Sequence, residues 1–215
     1  MKDKSYPQTV YRMVRILSSR FRKKRMNFFL QLFPWLSAET RVLDVGGTMH
    51  IWTFAPVKPK LTIVNIVPPE EPVSGAEWVV ADGRNLPFAD REFDIAFSNS
   101  VIEHVGTWED QQAFAREIRR VAKYYFVQTP NKQFPFEMHL RTPLIHYLPR
   151  HWQKRLLRNF TVWGWFTRPH PARCEQRLNR LRLLNAKEMK ALFPDASLLR
   201  ERFLGLTKSL IAVRR

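Results

Sequence analysis

The sequence has little cysteine, no long apolar run and few acidic residues, and each shortage excludes a class of protein. Cys174 is the single cysteine among 215 residues, so the chain can form no internal disulfide and no cysteine-based zinc site. This usage favours a reducing compartment, and we expect a cytoplasmic protein. The longest stretch without a charged residue is 26–38, which is shorter than the roughly twenty residues of a membrane-spanning helix.

Acidic residues are scarce relative to basic ones. The chain has 36 Lys and Arg against 19 Asp and Glu, which gives a net charge of +17 and predicts an anionic partner. The excess is uneven, since residues 1–41 carry +8, residues 42–140 carry −4 and residues 141–215 carry +13. We therefore expect the chemistry and the basic surface to belong to different parts of the molecule.

Hydrophobic patterning predicts strands that alternate with helices. The predicted strands are 41–45, 61–67, 77–81, 93–98, 124–128, 197–203 and 208–213. Helical spacing predicts one helix over 8–21 and a second over 28–36, which Pro34 ends or kinks. Two further helices begin at capping boxes, one from Thr107 to Asp110 and one from Asn185 to Glu188.

This alternation predicts an α/β fold with a mostly parallel sheet, helices on both of its faces and an antiparallel last strand. We divide the chain into a helical cap at residues 1–40 and a main domain at residues 41–215. A basic, aromatic-rich insertion at 141–182 interrupts the alternation.

Polar or glycine residues follow four of the predicted strands, where ligands of doubly wound sheets bind. They are Asp44 with Gly46 and Gly47, then Asn65, then Asp82 with Gly83, and finally Ser98, Asn99 and His104. Each of these positions could also be an ordinary turn or strand end. Their order along the chain, one set per strand end, indicates a nucleotide-type site.

Three segments resemble a known family. Residues 42–47, residues 81–88 with Leu86-Pro87-Phe88, and residues 93–105 with Glu103-His104-Val105 are similar to class I S-adenosylmethionine-dependent methyltransferases of the type 11 small-molecule group. The resemblance extends from about residue 41 to the end of the chain. It implies a Rossmann-like seven-stranded sheet and S-adenosylmethionine as the cofactor.

The resemblance also implies roles for individual residues. Asp44 would organise the turn in which Gly46 and Gly47 let the cofactor approach, Asn65 would contact the ribose, Asp82 beside Gly83 would accept from the adenine amino group, and Ser98 and Asn99 would line the methionine part. The chain departs from the family at Thr48, where a further glycine is usual, and at Asn65, where an acidic residue is usual. Asn65 lacks the charge-assisted hydrogen bond of a carboxylate, so we expect weaker ribose binding.

Candidate catalytic residues follow the fourth and fifth strands. His104 could take a proton from the methyl acceptor, bind the acceptor without proton transfer, or only bond backbone in a turn. Glu137 and His139 could form an acid–base pair at the acceptor or belong to a structural loop. The spacing shows no metal-ligand pattern, and we predict no metal site.

The segment 147–168 interleaves aromatic and basic residues. This composition is typical of a membrane interface, of a surface that stacks on nucleic-acid bases, or of a lid whose cations are solvated. An anionic membrane, at the inner membrane face, ranks above nucleic acid as the partner of this segment.

The sequence predicts methyl transfer to an oxygen or nitrogen nucleophile on a small molecule, such as a sugar, a lipid-linked intermediate or a natural product. Two alternatives stay open: an RNA methyltransferase, and a non-catalytic binding module with a methyltransferase-like fold.

Overall fold

Strands and helices alternate along the chain much as the sequence predicts. The structure, a computed structural model, describes residues 8–69, 71–137, 140 and 142–215, with side chains from residue 19 onward. The described strands are β1 (Arg41–Val45), β2 (Lys60–Asn65), β3 (Glu77–Val80), β4 (Phe93–Asn99), β5 (Ala122–Pro130), β6 (Phe136–Glu137), β7 (Thr142–Pro143), β8 (Ser197–Phe203) and β9 (Leu206–Arg214). The described α-helices are α1 (Gln8–Leu32), α2 (Met49–Trp52), α3 (Trp108–Val121), α4 (Arg150–Phe160), α5 (Val162–Thr167), α6 (Pro171–Asn179) and α7 (Ala186–Leu192).

Seven of the described strands form one sheet, in the order β3-β2-β1-β4-β5-β9-β8. The first five run parallel, and β9 is antiparallel to both of its neighbours. The prediction of a mostly parallel sheet with an antiparallel last strand is confirmed. Because the chain order reverses between β1 and β4, the carboxyl ends of these strands open a crevice at the switch point.

Helices cover both faces of the sheet, as predicted. On one face α3 and α7 bury Phe114, Ile118 and Met189 against the strands. On the other face α1 and α2 bury Phe29 and Trp52. The central strands are therefore apolar on both sides, which is usual for parallel strands between helical layers.

Capping boxes start two of these helices. The backbone N–H of Asp110 donates to the Thr107 hydroxyl at 3.3 Å, and the Asp110 carboxylate accepts from the Thr107 N–H at 2.9 Å. Asn185 and Glu188 make the same reciprocal pair before α7. Both predicted helix starts are confirmed, because each box satisfies N–H groups that the first helical turn cannot.

The prediction of two helices before β1 is wrong, because a single helix, α1, spans Gln8–Leu32. The basic stretch 22–25, which separates the two apolar patterns, consists of Arg and Lys, and these residues favour the helix. The helix ends two residues before Pro34, which cannot continue it. None of the helices in the described part of the chain is both long and apolar enough to cross a membrane.

The second half of α1 is packed into the main domain. Met26, Phe29 and Phe33 are fully buried against the strands, and Phe29 contacts the rings of Phe97 and Phe126. The division into a cap at 1–40 and a domain at 41–215 stays a prediction.

The predicted insertion lies between β5 and α7 and has a small core of its own. Its described part holds the helices α4, α5 and α6 and the strand β7, which pairs with β6 just before the insertion. Leu157, Trp163, Cys174 and Leu178 are buried there together. The lone cysteine therefore belongs to this local core.

Candidate active site

A cavity of about 270 Å³ lies at the carboxyl ends of β1, β2, β3 and β4. This is the crevice that the sheet order opens and the place where the sequence predicts a ligand. The lining residues are Val45, Gly46, Val64, Asn65, Ile66, Ala81, Asp82, Gly83, Arg84, Ser100, Val101, His104, Val105 and Phe114.

The glycine turn after β1 forms one wall of this cavity. Gly46 has φ +77°, which L-residues with a side chain rarely adopt, and a Cβ there would lie 2.4 Å from Cγ1 of Val101. The Gly46 N–H donates to the carbonyl of Val64 at 2.7 Å, which fixes the turn to β2. A Cβ on Gly47 would lie 1.9 Å from the Asp44 carboxylate. Both glycines are therefore required by the close packing of this turn.

Asp44 is completely buried beneath the turn. The indole Nε1 of Trp52 donates to its Oδ2 at 2.8 Å, while its Oδ1 has no hydrogen-bond partner among the described residues. Burial raises the pKa of Asp44 to about 7, and the Trp52 hydrogen bond opposes this shift. A buried oxygen without a partner is costly, so this atom is a candidate acceptor for an N–H group of a ligand.

Asn65 ties the end of β2 to the glycine turn. Its Nδ2 donates to the carbonyl of Gly47 at 3.1 Å, and its Oδ1 accepts from the N–H of Val67 at 3.4 Å. Asn65 thus stabilises the cavity wall that it also lines. Its predicted contact with a ribose stays a prediction.

The next residue, Ile66, lines the cavity with 72% of its surface exposed, and sequence reasoning missed it.

Asp82 is held by a cation that sequence reasoning also missed. The Arg84 guanidinium donates to both carboxylate oxygens of Asp82, with Nη2 at 2.6 Å from Oδ2, and its Nη1 donates to Asp110 at 2.7 Å. The hydrogen bonds from Arg84 lower the pKa of Asp82, so the carboxylate is ionised near neutral pH. The Arg84 backbone N–H also donates to Oδ1 at 2.9 Å, so both oxygens of the carboxylate already accept from Arg84. The spacing of Arg84, two residues after Asp82, was a signal for this pair.

Gly83 lies at the floor of the cavity. A Cβ there would come 2.8 Å from Phe114 and 2.9 Å from Val45. The close approach of these two side chains therefore demands glycine.

Ser98 and Asn99, at the end of β4, form hydrogen bonds with other residues of the chain. The Ser98 hydroxyl is buried and donates to the carbonyl of Val45 at 3.0 Å. The Asn99 carbonyl oxygen accepts from Nη1 of Arg25, on α1, at 2.5 Å. Ser100, the residue after Asn99, lines the cavity and adopts φ +58°. Its hydroxyl donates to the side-chain oxygen of Gln128 at 2.9 Å. Contacts of Ser98 and Asn99 with a methionine group stay predictions.

His104 lies at the rim of the cavity with an exposed side chain. It ends a short 3₁₀ helix, Ile102–His104, and its backbone N–H donates to Val101 at 2.8 Å. The neighbouring Glu103 is fully buried and accepts from the Thr129 hydroxyl at 2.9 Å. The rim is therefore anchored to β5, and this contact fixes the backbone that carries the His104 imidazole.

Glu137 does not line this cavity. It is buried in the β6–β7 hairpin, where its carboxylate accepts from the N–H of Leu140. His139 lies outside the described residues, so the predicted pair of Glu137 and His139 stays a prediction. Among the described residues no three His, Cys, Asp or Glu side chains come together as a metal site would require.

Comparison with known proteins supports the resemblance that the motifs gave. Residues 39–124 match a family model described as a methyltransferase domain. None of the curated proteins compared with the chain matches it.

Solved methyltransferase structures share the fold. Magnesium protoporphyrin IX methyltransferase from Synechocystis PCC 6803 has a TM-score of 0.58 at 12% identity and covers 96% of this chain and 87% of its own. 1,6-Didemethyltoxoflavin-N1-methyltransferase from Burkholderia thailandensis has a TM-score of 0.57 at 14% identity, and the match covers 95% of this chain and 83% of that protein. A SAM-dependent methyltransferase from Methanosarcina mazei has a TM-score of 0.50 at 16% identity, and the match covers 85% of this chain and 94% of that protein.

The described chain therefore has the fold of a class I S-adenosylmethionine-dependent methyltransferase. The match to the methyltransferase domain includes β1 to α3, and so most of the cavity wall. The predicted resemblance is confirmed.

The raised pKa of Asp44 predicts a pH dependence of stability. Its carboxyl binds a proton more tightly when folded (pKa about 7) than its ordinary value of 3.8 allows, so its contribution is most favourable at low pH and declines as the pH rises toward 7. Asp44→Asn removes this titration. The free energy of unfolding of the variant, relative to the unmodified chain, should rise by about 3 kcal/mol from about pH 5 to about pH 8. Urea denaturation across this range measures it.

Asp82→Asn supplies a control of opposite sign. Because Arg84 lowers the pKa of Asp82 below 3.8, the contribution of Asp82 to stability is lost only as the pH falls below about 4. The stability of this variant relative to the unmodified chain should therefore decline as the pH rises from about 2 to about 4 and stay level between about pH 5 and about pH 8. Parallel pH profiles for Asp44→Asn and the unmodified chain would contradict the assignment of Asp44.

Proposed function

We propose that the protein transfers a methyl group from S-adenosylmethionine to an oxygen or nitrogen nucleophile on a small molecule. The observation that carries the proposal is the cavity at the strand ends, which Gly46, Asn65 and Asp82 line. Beneath the adjacent glycine turn, the buried Asp44 has an acceptor oxygen without a partner among the described residues. A cationic amino acid group and a nucleoside would use such a site, since it combines a carboxylate, close backbone approach and an apolar floor.

The residues present fit this cofactor. Asp44 has an oxygen without a partner, Gly46 brings the backbone to the cavity wall, and Asp82, which also lines the cavity, would accept from an amino group. Asn65 would meet the ribose hydroxyls, with its amide already oriented by Gly47. Ile66 and the cavity floor would cover the base. These assignments follow the order of the strand ends.

When bound, the cofactor supplies a methyl group that its sulfonium charge has already activated. The protein therefore has to bind the acceptor, align it and exclude water. His104 lies at the rim, where an acceptor would approach, and we assign it the role of taking the acceptor's proton. The anchored Glu103 turn keeps the imidazole at this position.

A small-molecule acceptor is supported by the insertion, which follows β5 and supplies loops beyond the same edge of the sheet. Two proteins with this fold carry names that give small molecules as substrates, 1,6-didemethyltoxoflavin and magnesium protoporphyrin IX. We propose the same broad class here.

Calorimetric titration with S-adenosylmethionine tests the cofactor. The unmodified chain should bind it, and Asp82→Ala should weaken binding by about tenfold or more, because a hydrogen bond to an ionised group is lost. Asp90→Ala, at an exposed carboxylate that also pairs with an arginine, is the matched control and should leave the affinity unchanged. The absence of binding to the unmodified chain at millimolar ligand would refute the proposed function.

A His104→Ala substitution tests the proton transfer. With an acceptor found by mass spectrometry, as a product heavier by one methylene group, kcat should fall by about a hundredfold or more. The affinity for S-adenosylmethionine should stay within about twofold, since the role assigned to His104 concerns the acceptor. His151→Gln, at an exposed histidine on α4, is the control. An unchanged kcat in His104→Ala would exclude it as the base.

We also propose that segment 147–168 contacts an anionic membrane surface. Phe160, Val162 and Trp165 are exposed where α4 gives way to α5, with 71% of Phe160 and 66% of Trp165 accessible. Residues 138–174 contain no Asp or Glu and seven Lys and Arg. Exposed aromatics beside an excess of cations are complementary to an anionic interface and favour it over a neutral one.

Liposome flotation tests this contact. The protein should float with vesicles that contain phosphatidylglycerol and remain unbound with pure phosphatidylcholine. The double variant Phe160→Ala, Trp165→Ala should lower vesicle binding by about tenfold, because two aromatic contacts with the membrane are lost. Leu204→Ala, at an exposed apolar residue of the β8–β9 turn, is the control. Equal losses in the control and the double variant would contradict the assigned segment.

A further inference from the structure

A second cavity, of about 410 Å³, lies between the second half of α1 and the edge strand β8. It shares no lining residue with the first cavity. Its lining residues are Lys24, Arg25, Asn27, Phe28, Gln31, Arg200, Glu201, Arg202 and Ile211. The cavity therefore joins the two basic ends of the chain, which are far apart in sequence.

The lining carries more positive charge than negative charge. Four of its residues are cations and Glu201 is the only carboxylate. That carboxylate is occupied by Arg25, whose Nη2 donates to Oε2 at 2.8 Å. Within the part of the chain that the structure describes, Lys24, Arg200 and Arg202 have no ion-pair partner.

A further cation adds to the charge beside this cavity. Lys208 is almost completely buried at the start of β9, and its ammonium lies 3.1 Å from the centroid of the Phe21 ring. Burial lowers its pKa, Glu201 opposes that shift, and Arg25 and Lys24 reinforce it. Three cations are thus close enough to interact around one carboxylate. Like charges in such a setting repel one another, and a bound anion would relieve the repulsion.

Arg25 connects this cavity to the candidate active site. Its side chain is buried, and Nη1 donates to Asn99 at the carboxyl end of β4. The next residue, Ser100, lines the first cavity. The guanidinium therefore bridges the basic cavity and the strand end where methyl transfer is proposed. Because Glu201 neutralises Arg25, this residue fixes the wall of the cavity and leaves the unpaired lining cations for an anion.

We propose that this cavity binds a phosphate-bearing group of the methyl acceptor, with Lys24, Arg200 and Arg202 as its principal contacts. Three lining cations lack an ion-pair partner among the described residues, because Arg25 already neutralises Glu201. A phosphate or diphosphate therefore matches their charge better than a monovalent anion does. The link to an acceptor rests on the proposed function, whereas the anion site itself does not.

Titration of inorganic pyrophosphate into the full chain, at constant ionic strength, tests the site. The unmodified chain should bind it. Lys24→Gln and Arg202→Gln should each weaken binding by about three- to fivefold, as expected for exposed charge pairs, and the double variant by about tenfold. Lys23→Gln changes a neighbouring exposed cation that does not line the cavity, and its affinity should be unchanged.

The source of the phosphate is separated by a second arm with phosphatidic acid vesicles. A loss of vesicle binding in the Lys24→Gln, Arg202→Gln variant, together with competition by pyrophosphate, would assign the site to a lipid phosphate. Vesicle binding that is unaffected by these substitutions, with pyrophosphate binding that depends on them, would assign it to a soluble phosphate.

Two results would overturn the proposal: no pyrophosphate binding to the unmodified chain, or an equal loss in Lys23→Gln and Lys24→Gln. S-adenosylmethionine is titrated into the same preparations. Cofactor binding without pyrophosphate binding would reject the anion site and leave methyl transfer intact. Pyrophosphate binding without cofactor binding would reject the methyl transfer and the link to an acceptor, and would leave the anion site intact.

Discussion

The burial of the Asp44 carboxylate beneath the glycine turn is the constraint on which the candidate active site depends. A carboxylate in this position is desolvated, and Trp52 satisfies only one of its oxygens. The turn can close over it only because Gly47 has no side chain at that contact. Packing and electrostatics therefore act on the same few atoms. The site keeps a buried acceptor that a ligand could satisfy, at a cost in stability that the surrounding apolar layers must offset.

Charge separates the molecule into parts with different tasks. The segment that supplies the cavity wall at the strand ends is mildly acidic, and its main cation there, Arg84, is paired with Asp82 and Asp110. The excess of basic residues lies at both ends of the chain. In the folded protein these ends meet between α1 and β8, and the insertion presents further cations beside exposed aromatic rings. The net charge therefore bears on what the acceptor carries and on the surface where the protein docks.

The helix α1 has a role that its sequence alone did not indicate. Its apolar side chains complete one layer of the core, while Arg25 extends to Asn99 and Glu201. A segment predicted as a cap thus contributes a buried cation at the edge of the candidate active site. The insertion is comparable, since it buries Trp163 and Cys174 in a local core and leaves Trp165 at its surface.

By itself the sequence determined the alternation of strands and helices, both capping boxes, and the strand-end positions of Asp44, Asn65, Asp82 and His104. These features are local, because hydrophobic period, turn residues and spacing act within a few residues of the chain. Only the tertiary structure decided that Trp52 donates to Asp44 and Arg25 to Asn99. The contacts of Ser98, Asn99 and Glu137 were equally hidden. Such pairings join residues that are distant in sequence or turned by local geometry, and they depend on how the layers pack, which no single segment encodes.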